Sequence, residues 1–272
     1  MNVYLRARVN DITDVAAEQV VQAGVKLSVN ALWPGPEHLA LVAAKSPMCG
    51  VEIYPVRAWL KATGRDDRDY PDPATLSPVD IRGIVEQGVV AAGQLLATAG
   101  LDPRLIYVMT EPGWAPNAEG GPLAAVADLY ARLETAIACT WPRAMQAWYS
   151  AGWHHTRHDH RHPEWPVVLR PVFAVESVTL YRVPQGWRTV TQVDRPLRVA
   201  WVGLHCGYDQ EGQWVTGEGE QCDRGAYEGL GSLFRMMQQP PEVVLLYTER
   251  ATLSAIVDGA LALMAGLALG GV

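Results

Sequence analysis

The segments Val25-Lys26-Leu27-Ser28-Val29-Asn30-Ala31, Pro36-Glu37-His38-Leu39-Ala40-Leu41-Val42-Ala43-Ala44-Lys45 and Val51-Glu52-Ile53-Tyr54-Pro55 follow one another with only short breaks. The first and third are short and rich in β-branched residues, and they read as strands. The second opens with proline, carries good helix formers and reads as a helix. A strand, a helix and a strand in so short a span imply a parallel pair joined by a crossover. The rest of the chain repeats the unit. A strand from Val3 to Val9 precedes a helix from Asp11 to Ala23, with Thr13 or Asp14 as its cap and Gly24 as its stop. Ser77-Pro78-Val79-Asp80 opens a long helix that runs to about Ala99 and stops at Gly100. Further strands are expected at Leu105–Thr110, Ala144–Tyr149, within Val172–Tyr181, at Leu197–Leu204 and at Val243–Tyr247. Further helices are expected at Leu123–Cys139, Ala226–Gln238 and Leu253–Leu267, with polar loops at 63–76, 152–166 and 209–222.

Eight strands in alternation with helices predict an α/β fold, a single (β/α)8 TIM barrel whose fifth and sixth helical segments are irregular. The length of 272 residues matches the roughly 250 of one such barrel, and no linker divides it, so residues 1–272 are expected to form one domain. An open doubly wound sheet would need a glycine-rich first turn, and Asn10-Asp11-Ile12-Thr13 has none.

Composition removes other classes. With 49% hydrophobic residues and a mean hydropathy of +0.00, the chain has apolar surface enough for a core and is not disordered. A net charge of −7 and a pI near 5.5 give no support to a nucleic-acid partner. The N-terminus lacks a basic stretch before an apolar run, so the expected location is cytoplasmic. The apolar stretch Leu253–Leu269 contains Asp258 and is short for a span, so no membrane partner is expected. Cys49, Cys139, Cys206 and Cys222 show no Cys-x-x-Cys spacing, so neither a structural zinc site nor a dense disulfide framework is expected. No dinucleotide or phosphate-loop fingerprint follows a strand, and no cofactor is expected.

A barrel of this kind carries its site at the C-terminal ends of its strands. Strand four ends in Thr110-Glu111-Pro112 and strand eight in Thr248-Glu249-Arg250, so two carboxylates terminate strands directly. Trp33, Trp114, Trp153 and Trp214 fall at or just beyond strand ends, with Tyr54, Tyr181, His205 and Tyr208. The composition of ten Trp against two Phe underlines that clustering. Flat aromatic rings cover the apolar faces of sugars, and a carboxylate pair is what glycosidic bond cleavage requires. The expected partner is therefore a carbohydrate. Loop 154–162 holds five of the seven histidines, but with interleaved arginines and without the ordered spacing of a catalytic zinc site it reads as a solvated loop, and no metal is expected there.

Thr110-Glu111-Pro112 at the end of strand four resembles the Asn-Glu-Pro ending of strand four in the retaining TIM-barrel glycoside hydrolases. The resemblance implies that Glu111 is the acid/base of a glycosidase. That clan places a nucleophilic Glu at the end of strand seven, where this chain has His205-Cys206-Gly207-Tyr208-Asp209. Glu249 is then the first candidate for the second carboxylate, with Asp209 and Glu176 behind it. If one Glu acts alone, a hyaluronidase-like or chitinase-like arrangement is implied, in which the N-acetyl group of the substrate attacks. Tyr181 and Tyr208 would suit its orientation. Two other readings stay open. One is a divalent-metal-dependent barrel like the sugar isomerases and related endonucleases, with Glu52, Glu111, His205 and Glu249 as ligands. The other is a barrel that binds carbohydrate without turnover.

Overall fold

The computed structural model describes residues 1–6, 12–66, 70–71, 75–109, 123–148, 177–183, 186–189, 199–208, 214–216, 224–248 and 253–268. These form two compact units. One comprises Met1–Val29, Gly35–Ser46 and Ser177–Val272; the other comprises Asn30–Pro34 and Pro47–Glu176.

In the first unit, β1 (Asn2–Arg6) pairs in parallel with β2 (Val25–Asn30) on one side and with β10 (Val243–Thr248) on the other. β10 continues in parallel to β8 (Val199–Tyr208), and β8 to β6 (Ser177–Val183). Two short antiparallel strands extend this set: β7 (Gly186–Thr189) on β6, and β9 (Trp214–Thr216) on β8. The helices are α1 (Asp14–Gln22), α2 (Pro36–Lys45), α7 (Arg224–Met236) and α8 (Leu253–Ala268). In the second unit, β3 (Gly50–Ile53), β4 (Leu105–Val108) and β5 (Met145–Trp148) form parallel ladders. Its helices are α3 (Pro55–Ala62), α4 (Pro78–Val85), α5 (Ala91–Thr98) and α6 (Leu123–Thr140), and a π-helical segment, Glu86–Val90, joins α4 to α5. Within the units the strand orders are β5-β4-β3 and β2-β1-β10-β8-β6-β7, and parallel strands alternating with helices are those of an α/β TIM barrel.

β4 (LIYV) and most of β10 (VVLLYT) read as unbroken apolar runs, as parallel strands covered on both faces do. Tyr4, Leu5, Leu27, Leu105, Ile106 and Tyr107 are all buried. Helix starts follow local chemistry. The Thr13 hydroxyl accepts the Ala16 N–H at 3.3 Å, Pro36 opens α2, and Ser77 and Asp80 form a reciprocal capping box at α4. Gly24 and Gly100, the expected stops, have φ of +91° and +76°, where a side chain would be strained. The apolar stretch expected as a closing helix is α8. It packs so closely on α7 that a Cβ at Gly231 would overlap the Leu263 carbonyl. No helix among the described residues is long and apolar enough to cross a membrane.

Several boundaries differ from expectation. The strand expected to end at Leu204 continues to Tyr208, because β9 supplies an antiparallel partner for Cys206–Tyr208. Trp214 therefore lies in a strand and not in the expected loop. No helix is expected at 55–62, yet α3 begins directly after β3 with Pro55 in its first turn. The long helix expected from Ser77 to Ala99 contains the π-helical segment, where the ladder takes an extra residue.

Candidate functional site

Among the described residues, a polar group at a strand end lies in the second unit, where the segment Asn30–Pro34 runs beside β3. Glu52, in β3, is 1% exposed, and Tyr54, two residues on, is 8% exposed. Alternation along a strand puts residues i and i+2 on one face, and the Tyr54 hydroxyl donates to Glu52 Oε1 at 2.7 Å. The Asn30 amide donates to Glu52 Oε2 at 3.3 Å. Each carboxylate oxygen thus has a neutral donor, which is what a buried carboxylate requires. Asn30 Oδ1 in turn accepts the backbone N–H groups of Leu32, at 2.9 Å, and Trp33, at 3.4 Å.

The chain held by this amide carries the Trp33 indole, which is 42% exposed. Its ring centroid lies 5.9 Å from that of Tyr54, tilted by 56°. The Arg57 guanidinium carbon, on α3, lies 4.7 Å from the Trp33 ring and 5.5 Å from the Tyr54 ring, within cation–π range of both. Lys61, one turn further along α3, donates to the Leu32 carbonyl at 3.3 Å. A cavity of about 130 Å³ adjoins the group; Leu32, Tyr54, Ala58, Gln87, Ala91 and Leu95 are among its walls. The group can offer a flat, exposed ring backed by a buried acid and a small apolar recess.

Of the residues expected from sequence, the structure brings Trp33 and Tyr54 together. Tyr208 and Trp214 stand opposite each other in the β8–β9 ladder. Tyr181 lies in β6 and His205 in β8. Glu111, Glu249, Asp209, Trp114, Trp153, Glu176 and the histidines of 154–162 lie outside the described residues. Glu111 nevertheless follows closely on β4, whose path along β3 is held by the Met109 N–H donating to the Ile53 carbonyl at 3.0 Å. Glu249 follows directly on Thr248, the last residue of β10. Among the described residues no three His, Cys, Asp or Glu side chains gather to hold a metal ion.

Sequence reasoning misses Asn30, Arg57 and Lys61, and gives Glu52 only a metal-binding role. The Glu52–Tyr54 link carries a signal, since the pair sits at i, i+2 in an expected strand. The other links depend on a side chain folding back on its own loop and on a helix without a capping signal.

No protein-family model matches the chain, and no curated protein matches it. Solved structures do. A DUF72 family protein from Enterococcus faecalis superposes with a TM-score of 0.51 at 11% identity, over 100% of this chain and 96% of that one. A β-1,4-D-mannanase from Cryptopygus antarcticus gives 0.54 at 9% identity, over 92% and 82%. A GH18 chitinase from Pseudoalteromonas aurantia gives 0.53 at 9% identity, over 97% and 100%. At such identities the likeness is one of fold, and the fold is the α/β TIM barrel.

Proposed function

We propose that the chain is one (β/α)8 domain and an enzyme that cleaves a glycosidic bond, with Glu111 as general acid/base. The observation that carries the reading is the Trp33 platform: a large exposed ring, fixed at the C-terminal ends of β2 and β3, where barrels of this fold bind substrate. An indole face of this kind suits the C–H face of a pyranose ring. Glu111 follows the neighbouring strand β4 on the sequence. In this reading Glu111 gives its proton to the glycosidic oxygen as the bond to the anomeric carbon breaks. A second carboxylate, Glu249 first and then Asp209 or Glu176, attacks that carbon or takes a proton from water. Trp33, Tyr54, Trp114, Trp153, Tyr181, His205, Tyr208 and Trp214 bind and orient the sugar.

The test is hydrolysis of soluble oligosaccharides, with β-mannan, chitin and β-glucan fragments included, followed by mass spectrometry of the products. The expected result is cleavage of at least one class, with kcat lowered roughly 10²- to 10⁴-fold in Glu111→Gln and oligosaccharide binding retained. Full turnover by Glu111→Gln overturns the role of Glu111. Binding by the parent without turnover leaves a sugar-binding barrel in place of an enzyme.

A further inference from the structure

Trp33 is exposed, yet the backbone that carries it is tied down at successive positions. The Ala31 N–H donates to the Glu52 carbonyl at 2.9 Å. The next two N–H groups, of Leu32 and Trp33, both reach Asn30 Oδ1, an Asx turn made by the last residue of β2. The Leu32 carbonyl accepts from Lys61. Pro34 follows, and a residue before proline is restricted to extended conformations.

The Asn30 amide is the hinge pin of this arrangement, and its orientation is not arbitrary. A carboxylate only accepts and a backbone N–H only donates. With Oδ1 toward Leu32 and Trp33, Nδ2 faces Glu52 Oε2. The flipped amide would set its oxygen against the carboxylate and its NH₂ against two N–H groups. Glu52 therefore selects the one orientation that closes the turn, and the Tyr54 hydroxyl holds the opposite oxygen of Glu52 in place.

We infer that Glu52 and Asn30 are positioning residues: Glu52 orients the Asn30 amide, the amide closes the turn, and the turn presents Trp33 as a preset platform for a sugar ring. The sugar in that statement rests on the glycosidase reading above; the linkage from Glu52 to Trp33 does not. A platform fixed before the ligand arrives avoids the ordering cost of a mobile aromatic side chain.

The test has a part that needs no substrate. The chain is labelled with 5-fluorotryptophan, and the Trp33 resonance is assigned as the one lost in Trp33→Phe. In Glu52→Gln and in Asn30→Ala the Trp33 resonance shifts and broadens, while those of the buried Trp59 and Trp141 stay in place. An unmoved Trp33 resonance in both variants overturns the inference. If Glu52→Gln unfolds, every tryptophan moves, and Asn30→Ala, at a position only part-buried, decides alone. The second part uses the oligosaccharide that the parent cleaves. Asn30→Ala raises KM roughly two- to tenfold, with kcat little changed, as Trp33→Ala does. The double variant is no worse than Trp33→Ala by itself. Additive losses overturn the inference. A parent that neither binds nor cleaves any glycan removes the glycosidase reading, while the resonance test still decides the linkage from Glu52 to Trp33.

Discussion

Gly88, in the π-helical segment, faces the backbone of Pro55 at the start of α3 so closely that a Cβ on the glycine would overlap the Pro55 Cα. The obstacle is backbone, which cannot swing aside as a flexible side chain can. Gly88→Ala is expected to lower stability by about 1–3 kcal/mol, as overpacking does. Gly229, exposed within α7 with nothing near its would-be Cβ, supplies the control. There alanine is expected to add about 0.5–1 kcal/mol through helix propensity. Urea unfolding of the two variants beside the parent checks both signs.

At α4 the Ser77 hydroxyl accepts the Asp80 N–H at 3.2 Å, and Asp80 Oδ2 accepts the Ser77 N–H at 2.9 Å. Ser77→Ala is expected to cost about 1 kcal/mol. The Ser77 hydroxyl also donates to Asp80 Oδ2 at 2.6 Å, and this bond first, then the one from the Ser77 N–H, holds the Asp80 carboxyl below its ordinary value of 3.8. A carboxylate with a depressed value stabilises the fold above its unfolded value and loses that contribution as pH falls through the folded one. The deficit of Ser77→Ala should therefore shrink in acid. Denaturation midpoints at pH 7 and at about pH 2.5 measure it.

His38, on α2, is 3% exposed, and its Nε2 stands 3.4 Å from the Ser28 carbonyl. Burial pushes its value below the usual 6.5, partly opposed by that carbonyl. The folded chain thus keeps the ring neutral where the unfolded chain has begun to take up a proton. Stability from this residue is full above pH 6.5 and falls as pH drops below it. His38→Gln should flatten the parent's loss of stability between about pH 7.5 and pH 5.5 in urea titrations.

Cys49 and Cys139 are free thiols of opposite character. Cys49 is buried, and desolvation pushes it up to about 12; Cys139 is exposed. The reactive species is the thiolate. Iodoacetamide at about pH 8 is expected to label Cys139 in the native chain and to spare Cys49 until denaturant is added. Peptide mass spectrometry reads both positions.

The fold was legible where one residue type dominates a local choice. Pro36 and Lys45 bound α2 as expected, because proline suits a first turn and lysine a last one. Gly24 and Gly100 marked helix ends for the reason that appears in their positive φ. α3 escaped although Pro55 sits in its first turn as Pro36 does in α2, because β3 runs into it with no turn residue between. β7 and β9, of four and three residues, are too short to show a period, and each exists by pairing with a longer neighbour. In the site, Tyr54 and Trp33 could be found from strand ends alone. Asn30 could not, since its part depends on which way an amide turns between a carboxylate and two N–H groups.

The β1–β10 ladder sets Asn2 opposite Val243 and runs to Arg6 opposite Tyr247. The partners lie more than 200 residues apart in sequence, so β1 waits for all of that intervening chain before its second edge is covered. An uncovered strand edge invites foreign pairing, and closing so long a loop slows folding. Nascent chains stalled before residue 243 should accordingly be the species most dependent on chaperones. A fluorescent reporter fused after residue 242 should fare worse than one fused after residue 272.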